Sequence, residues 1–323
     1  MAEGDLFKKR IGFKGRLEDI SEAVCKCFGL GAFVSNRLVA IGYEDFNFAL
    51  QTKKGNFFVK VFADFRTLQE CKRYVKIMEK ALESNVVTPK LLEAKNRHLQ
   101  ILNVRGKKLR LVAMDFIEGK TLFESKEKLA DLEIRFLAKQ AAIINSMKIK
   151  PKFVYDHWAI TSFLKEFRIA KKFLDSEDLK KILPLVKDLK ALEINKLPHC
   201  FVHGDLTKTN IMKDKNGKLW LIDFACANYY PRIQELAVMA CTVLFEQESK
   251  SKTEKNIEIV LEEYQKIIPL TQKELEALPT YIKLGHAIYV ILATYTKCKK
   301  GINNPENEYF LELGRVGLLQ SME

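Results

Sequence analysis

Apolar positions along this chain change period several times. Residues 17–28 carry them at helical spacing, and Gly29 and Gly31 close that segment. Short apolar runs follow at 38–42 and 46–52, then Phe57-Phe58-Val59-Lys60-Val61-Phe62. Lys53-Lys54-Gly55-Asn56 joins the last two as the turn of a β-hairpin. Helical spacing returns over 67–82, where Leu68, Cys71, Tyr74, Val75, Met78 and Leu82 form one stripe. Segments 89–94 and 99–104 read as further strands, and 109–119 runs from a buried strand into Gly119. Beyond this the pattern is mostly helical, with apolar stripes over 129–147 and 161–174. Residues 231–245 begin with Pro231, suited to a first helical turn, and are apolar nearly all round. That pattern predicts a central, buried helix.

Candidate chemistry is concentrated in one stretch. His203-Gly204-Asp205-Leu206-Thr207-Lys208-Thr209-Asn210 precedes two short apolar runs, 211–213 and 218–223, separated by Asp214-Lys215-Asn216-Gly217. Asn-Gly is a strong turn signal. Pairing Lys213 with Lys218 sets Asn210 opposite Leu221, with Asp223 on the same face as Leu221. Two oxygen-bearing side chains then meet at the open end of the hairpin, with Asp205 just before it. Magnesium takes hard oxygen ligands and leaves several positions to phosphate and water. Phosphoryl transfer needs such a metal and a carboxylate beside the attacking hydroxyl.

Lys60 lies between two apolar faces, since Phe58 and Phe62 share its side of the strand and Phe57, Val59 and Val61 share the other. A lysine so placed needs an anionic partner; the alternative is an edge-strand lysine that snorkels to water. Glu70, at the edge of the 67–82 stripe, is the candidate ion-pair partner, although Thr67-x-x-Glu70 also spells a capping box. Glu79, at the stripe's other edge, is the second candidate.

His-Gly-Asp-x-x-x-x-Asn at 203–210, followed by Ile222-Asp223-Phe224, resembles the phosphotransferase family that includes aminoglycoside phosphotransferases, choline kinases and one class of homoserine kinases. The likeness spans roughly residues 35–245. It implies a protein-kinase-like α+β fold of two lobes: a β-rich N-lobe with one main helix over 1–116, and a mostly helical C-lobe over 117–323, with the hinge at about 114–119. Protein kinases carry Arg where this chain has Gly204, and Gly where it has Ala225. Both departures favour the small-molecule branch.

By this resemblance Asp205 orients the acceptor hydroxyl and takes its proton, His203 orients the loop, Asn210 and Asp223 hold magnesium, and Lys60 meets the phosphates of ATP or GTP. The Asp115 carbonyl and the Ile117 N–H would bind adenine. A Gly-rich loop is missing; Gly42 is present alone, followed by Tyr43-Glu44-Asp45-Phe46-Asn47, a tract similar to the family's looser phosphate loop. Glu235 either ties down the 203–210 loop or serves its own helix dipole. Tyr155-Asp156-His157-Trp158 either lines the acceptor site or packs a helix entry.

Composition narrows the partners. The net charge is +13, and residues 1–117 hold 22 Lys and Arg against 13 Asp and Glu. Zinc-finger spacing and interleaved aromatic-basic motifs are missing, so a nucleotide accounts for the basic bias better than nucleic acid does. No apolar run approaches the ~20 residues that span a membrane. The charged first ten residues lack a signal core. Seven scattered cysteines read as reduced thiols. The expectation is a cytoplasmic protein without a membrane partner.

The expected activity is transfer of the γ-phosphoryl group of a nucleotide to a hydroxyl of a small molecule: an amino acid such as homoserine, an amino alcohol, a sugar or an aminoglycoside. Residues 150–196 carry 11 Lys and Arg against 7 Asp and Glu, which weighs against a polycationic acceptor, whereas Glu306, Glu308 and Glu312 weigh for one. Two rivals are a silent nucleotide-binding regulator and an atypical protein kinase. Intact Asp205, Asn210 and Asp223 oppose the first, and the seven residues between Asp223 and Pro231 are too few for the second's peptide-docking segment.

Overall fold

The computed structural model describes residues 9–39 and 45–322. It forms two compact units, Met1–Lys120 with Met212–Ile222, and Thr121–Ile211 with Asp223–Glu323. The first is a sheet with one long helix and the second is mostly helical, the protein-kinase-like α+β architecture.

In the first unit, helix α1 (Leu17–Phe28) precedes strands β1 (Phe33–Val39), β2 (Phe46–Thr52) and β3 (Gly55–Val61). Helix α2 (Leu68–Glu83) and strands β4 (Gln100–Val104) and β5 (Lys107–Asp115) follow. The strands make one antiparallel sheet in the order β1-β2-β3-β5-β4. Alternation then sorts the side chains. Phe46, Phe48, Leu50, Val59, Val61, Leu109, Leu111 and Ala113 join Ile20 and Val24 of α1 in one core. Lys60 therefore turns to the opposite face, toward Tyr74 of α2. It stands on the central strand, opposite Asn47 on one side and Val112 on the other, and not at an edge. The strand expected over 89–94 reduces to isolated bridges at Leu91–Met114 and Ala94–Arg97.

Strands β6 (Gly119–Thr121), β8 (Ile211–Asp214) and β9 (Leu219–Leu221) make a small sheet in the order β6-β8-β9. Gly119 permits this approach: a Cβ there would run into the Lys213 carbonyl oxygen and lie 2.8 Å from Asp214 Cα.

The second unit holds α3 (Leu122–Ser125), α4 (Asp131–Ser146), α5 (Phe163–Ala170), α6 (Ser176–Ala191) and strand β7 (His199–Val202). After β10 (Asn228–Pro231) come α7 (Ile233–Cys241), α8 (Lys250–Gln265), α9 (Gln272–Lys300) and α10 (Pro305–Gln320). Every residue of α7 is buried, as its all-round apolar pattern predicts. Pro231 is not in its first turn, however. It ends β10, opposite His199, where a residue without an N–H costs the ladder nothing. Among the described residues no helix is long and apolar enough to cross a membrane.

Candidate active site

Strands β7 and β10 pair antiparallel, with Val202 opposite Asn228. Their open ends deliver the two segments singled out by sequence, the 203–210 loop and the turn at Asp223. The first is held from below by α7. Glu235 accepts the main-chain N–H of His203 at 2.6 Å and of Gly204 at 3.2 Å, and Asn145 Nδ2 at 3.2 Å. Asn145 also donates to the Phe201 carbonyl at 3.0 Å and accepts the Tyr264 hydroxyl at 2.7 Å. The loop-tying role of Glu235 is thus seen directly. Complete burial raises its pKa to about 7, outweighing the three hydrogen bonds that favour the ionised form.

Gly204 has φ +80°, a left-handed conformation that other residues adopt at a cost. It turns the chain so that the Asp205 N–H meets Nδ1 of His203 at 3.3 Å. That contact makes Nδ1 an acceptor, so the neutral ring carries its proton on Nε2. The imidazole is fully buried, with its centroid 4.4 Å from that of Phe224. His203 thus lies inside the loop, with its ring against Phe224 and Nδ1 on the Asp205 main chain.

Asp205 and Asn210 face each other across the loop. Asn210 Nδ2 donates to Asp205 Oδ2 at 2.6 Å and to the Asp205 carbonyl at 3.0 Å. Its amide nitrogen is committed there, which leaves Oδ1 as the atom with lone pairs to offer a cation. Asp223 has φ +62°, and its Oδ1 accepts the Ala225 N–H at 3.2 Å, opening a single 3₁₀ turn at Phe224–Cys226.

The hairpin before Asp223 departs from its expected register by one residue. The Asp214 N–H donates to Lys218 C=O and the Gly217 N–H to Asp214 C=O, each at 2.9 Å, so Asp214 pairs with Lys218 around a three-residue loop. Lys213 does not pair with Lys218, and Asn210 is not set opposite Leu221. The strand face is therefore not what aims Asp223; the left-handed backbone at that residue is.

Two further carboxylates bear on Asp205. Burial raises its pKa well above the ordinary carboxylate value, and the charges of Asp156, Asp223 and Glu306 raise it further, against the Asn210 hydrogen bond. Asp156 is placed by Asn228, which exchanges hydrogen bonds with the main chain of Val154 at 2.8 and 3.2 Å. Asp156 in turn accepts the Trp158 N–H at 2.9 Å. Trp158 lies 5.5 Å from Phe310 and 6.1 Å from Tyr289, centroid to centroid, and Tyr289 feels the charges of both Asp205 and Asp156. Tyr155 and His157 point elsewhere, both onto Glu166, at 2.5 and 3.0 Å. The Tyr155–Trp158 cluster thus divides, with Asp156 bearing on Asp205 and Tyr155 and His157 on Glu166. Glu306 was legible only as one of several acids near the C-terminus.

Four carboxylates gathered in this way repel, which adds to burial, the larger cause, in raising the pKa of Asp205. A divalent cation relieves it, so the donor set of Asp223 and Asn210 fits magnesium. Among the described residues no three His, Cys, Asp or Glu side chains form a metal-binding group by themselves.

In the first unit, Lys60 Nζ lies 3.3 Å from Asp45 Oδ2, with the two side chains 5% and 3% exposed. Neither expected glutamate reaches it. Glu70 closes the capping box of α2, accepting the Thr67 N–H at 2.6 Å and the Thr67 hydroxyl at 2.8 Å. The Thr67 N–H is the chief reason its pKa is lowered. Glu79 stands 3.7 Å from His98 Nε2. At the expected hinge, the Asp115 N–H donates to Lys90 C=O at 3.0 Å, while the Ile117 N–H enters no main-chain hydrogen bond among the described residues. Gly42 lies outside the described residues.

The fold is shared with solved phosphotransferases. Spectinomycin phosphotransferase in complex with ADP and spectinomycin superposes with a TM-score of 0.68 at 13% identity, covering 96% of this chain and 100% of its own. A microcompartment-associated aminopropanol kinase gives 0.67 at 12%, covering 93% and 95%. Choline kinase from Streptococcus pneumoniae gives 0.62 at 15%, covering 94% and 99%. No curated protein matches by sequence. The model of the phosphotransferase enzyme family matches residues 35–258 of the 323. The match takes in Lys60 together with the whole 203–224 loop and turn, and the chain belongs to that family.

Proposed function

We propose that the chain transfers the γ-phosphoryl group of ATP to the hydroxyl of a small, amine-bearing alcohol. The observation that carries this reading is the setting of Asp205, hydrogen-bonded to Asn210 and surrounded by Asp156, Asp223 and Glu306. Asp205 holds the acceptor hydroxyl and takes its proton. Its raised proton affinity suits it to that work better than an ordinary exposed carboxylate. Glu235 and His203 keep it in place. Asn210 and Asp223 hold magnesium, which when bound neutralises charge on the transferred phosphoryl group. Lys60 meets the other phosphates, and the Asp115 carbonyl and Ile117 N–H take the adenine edge. Positioning and charge neutralisation supply most of the rate.

Asp156 and Glu306 have no part in metal or nucleotide binding on this reading, and they fit a cationic amine on the acceptor. The basic composition of residues 150–196 is offset at the site by Asp156, whose charge is the largest of those raising the Asp205 pKa. The aromatic rings of Trp158, Tyr289 and Phe310 give such an amine an apolar and cation-attracting wall. Six of the seven residues from Phe224 to Tyr230 lie in a 3₁₀ turn and β10, which supports a small acceptor over a peptide.

Acceptor-dependent ADP release, measured over amino alcohols, aminoglycosides, amino acids and uncharged sugars, tests the proposal. Turnover confined to amine-bearing alcohols is expected. Turnover with uncharged sugars alone, or with no acceptor at all, overturns it.

A further inference from the structure

Lys60 meets a carboxylate supplied from the sheet. Asp45 stands just before β2, and its carboxylate gathers three donors: Lys60 Nζ at 3.3 Å on Oδ2, and the Ala63 N–H at 3.0 Å and Arg66 Nε at 2.8 Å on Oδ1. Arg10 Nη1 fixes the main chain beside it, donating to the Asp45 carbonyl at 3.1 Å. Helix α2 contributes the ring of Tyr74, 5.2 Å from Nζ, but among the described residues neither Glu70 nor Glu79 reaches the lysine. Lys60 and Arg66 both contact this one buried carboxylate.

We propose that Asp45 is the positioning residue for Lys60, with Arg66 anchoring Asp45. This rests on the reading that Lys60 meets the nucleotide phosphates. Its consequence is regulatory. In protein kinases the corresponding lysine is paired by a glutamate of the long helix, so that helix position switches activity. Here the carboxylate comes from Asp45 beside β2, so placing the lysine does not depend on Glu70 or Glu79 of the helix.

Titration calorimetry with the magnesium complex of a non-hydrolysable ATP analogue tests this on Asp45→Asn, Glu70→Gln, Glu79→Gln, Lys60→Ala and the Lys60→Ala/Asp45→Asn double variant. Glutamine keeps the capping box, so Glu70→Gln probes charge alone. Asp45→Asn is expected to weaken binding tenfold or more, while Glu70→Gln and Glu79→Gln stay within twofold. On the Lys60→Ala background Asp45→Asn should add less than twofold, which a merely structural role for Asp45 would not produce. Tenfold weakening by Glu70→Gln with Asp45→Asn silent overturns the inference, as does an Asp45→Asn effect undiminished on that background. Wild-type affinity in Lys60→Ala overturns instead the reading of Lys60 as a phosphate contact, and the inference with it. If Asp45→Asn does not fold, Asp45→Glu replaces it: the charge stays and the geometry moves by one carbon. Several-fold weakening is then expected, and unchanged affinity is contrary.

Discussion

Glu235 receives the main-chain N–H of His203 at 2.6 Å, so a helix residue 32 positions later sets the conformation of the loop that carries Asp205. Because Gly204 donates to the same carboxylate, the loop is fixed at the residues where the chain makes its left-handed turn. Three donors converge on one buried acid, and no neutral side chain of that shape accepts all three.

Glu235 therefore links stability to pH. Its pKa in the folded protein, about 7, stands above the ordinary 4.5. A raised value means that the folded state holds the proton more tightly. The stabilisation is complete below about pH 4.5, declines as pH rises through about 7, and amounts to about 3 kcal/mol at most. Glu235→Gln should remove that slope. At neutral pH it should also cost about 1–3 kcal/mol, since the glutamine NH₂ must face another donor. Melting of both proteins across this range is the check. Parallel curves would sink the assignment.

Asp223→Ala should weaken magnesium-dependent nucleotide binding far more than Asp205→Ala does. On the proposed division Asp223 holds the metal, whereas Asp205 serves the acceptor. Calorimetric titration of both variants with MgATP separates the roles, and equal affinities would refute them.

Gly119→Ala should destabilise the protein by about 1–3 kcal/mol, the usual range for overpacking. The added methyl meets the main chain of Lys213 and Asp214, which cannot yield as a flexible side chain would. Denaturant unfolding at constant m-value measures it. A stability within about 0.5 kcal/mol of wild type, the usual range for harmless surface changes, would show that the strands part freely.

Much of this was legible in sequence because its residues lie close together. His203, Asp205 and Asn210 span eight positions, and the turn that follows announces itself by Asn216-Gly217. The alternation around Lys60 gave its burial, and the all-apolar run gave α7. Partners brought together only by tertiary packing were not legible. Asp45 precedes Lys60 by 15 residues, and nothing in the local pattern ranks it above Glu70, whose carboxylate closes the capping box its spacing spells. Asp156 and Glu306 reach Asp205 from 49 and 101 residues away. The hairpin register slipped because Gly217, at φ +81°, closes a three-residue loop where four were counted.

Glu306→Gln should raise KM for an amine-bearing acceptor roughly tenfold, equivalent to about 1.4 kcal/mol of lost charge attraction, and leave KM for ATP unchanged. Steady-state kinetics in both substrates decides. A rise in KM for ATP alone would move Glu306 out of the acceptor site.

Asp205→Asn bears most directly on the central claim. Asparagine keeps the turn-forming ability of the side chain but cannot take a proton from the acceptor. The variant should melt near wild type and bind MgATP as tightly, yet lose on the order of 10²–10⁴ in acceptor-dependent turnover. A stable Asp205→Asn protein keeping more than about a tenth of wild-type turnover would contradict the account, since even the smallest general-base contribution is larger than that.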